Sequence, residues 1–175
     1  MNENHNSIIK QVFRKIGIKQ GQKVLDFGCG RGYYTIPAAE VVGKEGIVYA
    51  VDKDKERLDD VKGKARDRDL ANIKILNSSG GTDLALPDNS MDVVLLYDVF
   101  WYFDLTSQGL DNLLEEMRRL SRQNGLLSVY PKHIDNKELK SIIQMTGFNF
   151  RNRYSGTLLH EGRPEEGILL NFTRI

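Results

Sequence analysis

Five short apolar runs punctuate this chain, at 24–28, 46–52, 72–76, 91–98 and 125–131, and helix-forming stretches separate most of them. The stretches at 33–42, 54–69, 107–121 and 135–146 suit helices, with Pro37 tolerated only in the first turn of its own. The inner runs, MDVVLLYD at 91–98 above all, are apolar at consecutive positions, so both faces of each strand are buried. That alternation predicts an α/β fold, doubly wound, in which helices cover a mostly parallel sheet. An amphipathic helix at 6–17, carrying Ile8, Ile9, Val12, Phe13 and Ile16 at helical spacing, precedes the first strand. The segment SSGGTDLALPDNS, between the third and fourth strands, is too broken for a long helix. The tail changes rhythm: 148–154 and 168–175 read as two strands with no room for a helix between them, which an antiparallel hairpin can join. A chain of 175 residues suits one domain spanning 1–175.

Charge and composition exclude several roles. Lys and Arg total 25 against 24 for Asp and Glu, so the strongly basic surface of a nucleic-acid binder is missing. No window approaches the roughly 18 uninterrupted apolar residues of a membrane span. The polar start MNENHNSIIKQ lacks a signal-peptide core, so the expected compartment is cytoplasmic. The single cysteine, Cys29, cannot form an internal disulfide or a multi-thiolate centre, and His5, His133 and His160 have no metal-ligand spacing, so no metal is expected.

The stretch VLDFGCGRG at 24–32 ends the first strand and turns toward the first sheet-covering helix, with Gly28, Gly30 and Gly32 at every second place. Ligands of doubly wound sheets bind at such carboxyl ends, and glycines there allow sharp turns and close backbone approach. Tyr33 occupies the third glycine place of G-x-G-x-x-G, which weakens a nicotinamide reading, and Arg31 and Thr35 do not complete a P-loop. Asp52 ends the second strand, where a carboxylate can accept from both hydroxyls of a ribose and repel a 2′-phosphate. Asp54 reads as a surface or helix-cap residue. The plain alternative is that the glycines do no more than turn the chain.

Taken in order, VLDFGCGRGYYTIPAA, VYAVDKD, LALPDNSMDVVLLYDVFWYF and RRLSRQNGLLSVYPKH resemble the successive motifs of the class I S-adenosylmethionine-dependent methyltransferases. Within that family the chain is similar to the broad ubiquinone- and menaquinone-biosynthesis group of small-molecule enzymes. The resemblance implies a Rossmann-like, seven-stranded mixed sheet of order 3-2-1-4-5-7-6 with strand 7 antiparallel, and S-adenosyl-L-methionine as cofactor. It also implies residue roles. Asp26 would shape the turn and contact the methionine amino group, directly or through water, while Gly28, Cys29 and Gly30 would pass close to the methionine part. Asp52 would hold the ribose, Lys53 would flank the adenine, and Ser79, Gly80 and Gly81 would border the adenine pocket. Asp98 would stand at the methionine amino end or the active-site mouth. Cys29 fits as a small residue packed under the cofactor better than as a nucleophile.

The expected reaction is methyl transfer to a small-molecule acceptor. A sulfonium methyl is already electrophilic, so the protein must mainly hold the nucleophile close and in line. A base is needed only where the acceptor loses a proton, and His133, just past the fifth strand, is the candidate. A solvated or helix-capping histidine is the competing reading. Tyr33, Tyr34, Trp101 and Tyr102 point to one mouth and could enclose a planar or apolar acceptor, with ordinary core packing as the alternative. His160, Glu161 and Arg163 lie in the polar stretch HEGRPEEG, read as a solvent-facing loop or a substrate rim. No NPPY-like tetrad is present, which argues against adenine methylation in DNA. The short segment before the fourth strand leaves the site open or covered by a partner subunit, so a homo-oligomer is one expectation. Two other functions stay open: a non-catalytic module that binds the adenosyl cofactor, and an NAD-dependent enzyme.

Overall fold

A computed structural model describes residues 3–175. Seven strands form one sheet: β1 (Lys23–Phe27), β2 (Ile47–Asp52), β3 (Ile73–Asn77), β4 (Met91–Tyr97), β5 (Ser121–Tyr130), β6 (Phe148–His160) and β7 (Arg163–Arg174). Their order is β3-β2-β1-β4-β5-β7-β6, with β7 antiparallel to both of its neighbours and the remaining pairs parallel. The α/β, Rossmann-like arrangement matches the expected one strand for strand.

Among the described residues five helices cover the sheet: α1 (Glu3–Ile16), α2 (Thr35–Val42), α3 (Lys55–Arg66), α4 (Gln108–Leu120) and α5 (Asn136–Met145). Alternation along the strands assigns their faces. Val24, Val48, Val93 and Leu95 pack with α1 and α2, whereas Leu25, Val51, Val94 and Leu96 pack with α4 and α5. α3 closes on Ala50 and Cys29 through Leu58 and Val61. Asp54 caps α3 by accepting from the amides of Glu56 and Arg57, as its short side chain before a charged first turn favours. Among the described residues no helix is long and apolar enough to cross a membrane.

Most boundaries fall within a few residues of the sequence-based expectation, and the differences at α1, β5 and the terminal hairpin bear on the architecture. α1 starts at Glu3 rather than residue 6, and Asn6 is buried against the Glu40 carboxylate. β5 begins at Ser121, directly after α4, because Ser121 pairs with Met91 ahead of a register shift. The largest difference is the terminal hairpin. β6 and β7 run well past 148–154 and back to Arg163, so HEGRPEEG is mostly paired strand, not a loop. Only Glu161 and Gly162 turn the chain, both at positive φ (48° and 79°), as a two-residue primed hairpin turn requires. The length matters for position: β6 runs parallel to the inner strands, so its far end delivers the hairpin tip to the carboxyl edge of the sheet.

Candidate active site

The carboxyl ends of β1, β2 and β4 open into a cleft of about 650 Å³, a size that suits a ligand larger than a single sugar or amino acid. Its floor is the turn after β1, where Gly28, Gly30 and Gly32 have φ of 75°, 53° and 79°. Gly28 is required twice over: its φ is left-handed, and a Cβ there would lie 2.4 Å from Val99 Cγ1 on the neighbouring β4 exit.

Two acidic side chains brace this floor. Asp52 is buried at the end of β2, its Oδ2 accepting from the Gly30 amide at 2.8 Å and its Oδ1 from the Asp54 amide at 2.9 Å. Each oxygen keeps a further lone pair for a ligand hydroxyl. Asp26 sits under the turn without lining the cleft, and its Oδ2 accepts from the Thr35 hydroxyl at 2.6 Å. Burial pushes its carboxyl up to about 7, with the Thr35 bond opposing and the Asp52 charge adding to the rise. Cys29 lines the cleft, but burial, reinforced by the charges of Asp26 and Asp52, raises its thiol far out of the reactive range.

The opposite wall comes from the segment after β4. Asp98 lines the cleft at φ 60°; its Oδ2 bonds His160 Nδ1 at 2.6 Å, while its Oδ1 is buried with no hydrogen-bond partner. A short 3₁₀ turn, Phe100–Tyr102, follows. Phe100 enters the core, whereas Trp101 and Tyr102, each 53% exposed, pack on one another with ring centroids 4.2 Å apart and line the cleft. The Trp101 indole N–H donates to the Asp98 carbonyl at 3.0 Å, and Lys53 Nζ lies 5.2 Å from the Tyr102 ring centroid. Lys53, Gly80 and Gly81 also line the cleft; Ser79 does not, its amide and hydroxyl both bonding Asn77 Oδ1.

The hairpin tip forms the third side. Tyr34 is buried, and its hydroxyl donates to the Leu159 carbonyl and accepts from the Leu159 amide, each at 2.8 Å. Its ring borders the cleft, but its polar atom is committed to the hairpin. Tyr33 lines the cleft beneath Gly162, where a Cβ would fall 2.5 Å from the Tyr33 ring. Leu159 and Glu161 reach the cleft; Arg163 is exposed outside it.

His133 lies outside the cleft, in a separate shallow groove with Tyr130, Lys132 and Asn136. Its ring meets that of His160 edge-on at 5.4 Å, and His160 in turn bonds Asp98. Sequence reasoning missed Arg57, Thr82 and Asn112, which also line the cleft. Arg57 and Asn112 are polar positions on helices, and nothing local distinguishes them from ordinary solvent-facing residues. Among the described residues no three His, Cys, Asp or Glu side chains are grouped to hold a metal ion.

Comparison with known proteins agrees with this geometry. The family model of a methyltransferase domain matches residues 24–125. A demethylmenaquinone methyltransferase of Geobacillus stearothermophilus is 33% identical over 123 residues, covering 67% of this chain and 48% of that protein. The enzyme of the same name from Staphylococcus aureus (strain MRSA252) is 29% identical over 131 residues, covering 71% and 49%. The chain thus spans about half the length of the curated relatives it matches. Among solved structures, a SAM-dependent methyltransferase from Aquifex aeolicus shares the fold with a TM-score of 0.77 at 23% identity, covering 95% of this chain and 89% of that one.

Proposed function

Since the chain belongs to the class I S-adenosylmethionine-dependent methyltransferases, we propose that it transfers the methyl group of S-adenosyl-L-methionine to a small-molecule acceptor. The observation that carries the reading is the pairing of Asp52 with the glycine turn. One carboxylate is fixed by two backbone amides beside a strand exit whose glycines allow close backbone approach. The residues present fit the donor: the cleft is large enough for an adenosyl amino acid, Asp52 keeps lone pairs for ribose hydroxyls, and Asp98 brings a carboxylate to the cleft wall.

In this reading Asp52 holds the ribose, and Lys53, Gly80 and Gly81 border the adenine, with Ser79 shaping that loop from behind. Gly28, Cys29 and Gly30 lie along the methionine part, Asp26 supports the turn from below, and Asp98 faces the amino-acid end. When bound, S-adenosylmethionine supplies an electrophilic methyl carbon on a sulfonium, so the chain's task is to bind, align and exclude water. Tyr33, Trp101 and Tyr102 form the aromatic rim for the acceptor, and the buried Tyr34 ring backs it. We assign a planar, largely apolar acceptor of the demethylmenaquinone kind, on the aromatic rim and the named relatives together.

Titration calorimetry with S-adenosylmethionine, S-adenosylhomocysteine and NAD tests the donor. Both adenosyl ligands bind the wild-type chain, and Asp52→Ala weakens them by about tenfold or more, the loss expected for hydrogen bonds to a charged group. Binding of NAD with neither adenosyl ligand would overturn the assignment.

A further inference from the structure

Three contacts tie the hairpin tip to residues that line the cleft, and one of them reaches the charge at its wall. Tyr34 holds Leu159, Gly162 covers Tyr33, and His160 bonds Asp98. The first two are packing and backbone contacts. The third joins an imidazole to a carboxylate that lines the cleft and that has one oxygen buried without a partner.

That arrangement leaves Asp98 with divided oxygens. Oδ2 accepts from His160 Nδ1 at 2.6 Å, a short, charge-assisted contact that fixes the rotation of the carboxyl group. Oδ1 is then held where no group of the described residues donates to it. A buried carboxylate oxygen without a donor is costly, and a cation facing the same carboxylate from the cleft offsets part of that cost. The backbone reinforces the placement: Asp98 is in left-handed conformation, its amide donates to the Tyr130 carbonyl, and its carbonyl accepts from Trp101. With the backbone pinned on both sides, His160 is the side-chain partner that sets the direction of the carboxylate.

We propose that His160, carried in from the β6–β7 hairpin, is a positioning residue of the donor site: it orients Asp98 so that its carboxylate faces the ammonium of the donor's amino-acid end. The inference rests on the donor assignment above and adds the hairpin tip to the binding machinery. Asp98 touches the ligand; His160 acts only through Asp98. The role requires an N–H at the Nδ1 position and no change of protonation during the reaction. It therefore predicts which substitution is tolerated: asparagine places an amide nitrogen near Nδ1, whereas alanine and leucine place nothing there.

The test compares two ligands that share the adenosine and differ in the amino-acid end, S-adenosylhomocysteine and 5′-methylthioadenosine, by calorimetry on the full chain. His160→Ala weakens S-adenosylhomocysteine by about tenfold to a hundredfold, as loss of alignment of a charged hydrogen bond implies, and leaves 5′-methylthioadenosine within about twofold. His160→Asn restores most of the loss. Asp98→Asn reproduces the selective loss, and adding His160→Ala to it costs nothing further, because the two residues act as one unit. Equal weakening of both ligands by His160→Ala would reveal a merely structural contact and overturn the proposal, as would unchanged affinity for S-adenosylhomocysteine. If the wild-type chain bound neither ligand, the donor assignment itself would fall and this inference with it.

Discussion

Burial holds the Asp26 carboxyl protonated up to about pH 7, although the Thr35 hydroxyl donates to it and favours the charged form. The native chain therefore binds this proton more tightly than the unfolded chain, whose carboxyl titrates near 3.8. Between those values the folded state carries more protons, so stability falls as pH climbs through the window and the full penalty stands above it. At about 1.4 kcal/mol per pKa unit, the loss between pH 5 and pH 8 is on the order of 2–3 kcal/mol. Asp26→Asn removes the titration while its amide oxygen still accepts from Thr35. The stability of the Asn variant relative to wild type should rise steadily from pH 5 to pH 8, read by denaturant unfolding at each pH. Parallel curves for the two proteins would mean that Asp26 stays charged in the fold. Cys29, three residues on, is subject to the same burial with the same outcome: its thiol is kept neutral, so it serves the cleft as a small side chain against α3.

The β6–β7 hairpin is the element where local sequence signals and structure diverge most. Its outer half is polar, and its turn, Glu161–Gly162, lacks the Asn-Gly or Asp-Gly pair that marks a primed turn, so neither strand extension has a local signature. What holds the tip is tertiary. The Tyr34 hydroxyl supplies both a donor and an acceptor to the backbone of Leu159, one residue before the end of β6. Tyr34→Phe leaves a buried amide and carbonyl without partners and should cost about 1–3 kcal/mol. Hydrogen exchange should accelerate at Leu159 and His160 before it does in β4 or β5; unchanged protection at the tip would show that ladder pairing alone suffices. The inner strands, by contrast, were legible because apolar runs and the Gly28–Gly32 turn are contiguous in sequence, as is the placing of Asp52 at a strand end. The Asp98–His160 contact joins residues 62 apart, and only the hairpin's full length brings them together. His133, next to a readable strand end, lies outside the cleft because the chain past β5 turns into a separate groove.

At the scale of the whole molecule, the N-terminal helix and the cleft share one aromatic wall. Phe13 of α1 is fully buried, its ring centroid 6.2 Å from that of Tyr34 and 6.4 Å from that of Tyr97, while Tyr34 and Tyr97 meet edge-to-face at 4.6 Å. Both tyrosines line the cleft, and Tyr97 is anchored to Ser128 on β5 at 2.8 Å. A void behind them would thus loosen the cleft wall as well as the core. Phe13→Ala should lower stability by about 3–5 kcal/mol, a large part of the roughly 5–15 kcal/mol that holds an ordinary domain together. S-adenosylhomocysteine at a free concentration one hundred times its dissociation constant adds about 2.7 kcal/mol to any chain that binds it only when folded. Saturation should therefore recover part of the loss, leaving the variant less stable than the ligand-free wild type. The sharper measurement fixes the free ligand concentration instead of its ratio to the dissociation constant. If α1 shapes the cleft through Phe13, the ligand-induced gain is smaller in the variant, since Tyr34 and Tyr97 no longer sit against a filled core. Equal gains at equal free ligand would confine Phe13 to the core and separate the stability of the N-terminal helix from the binding geometry that it backs.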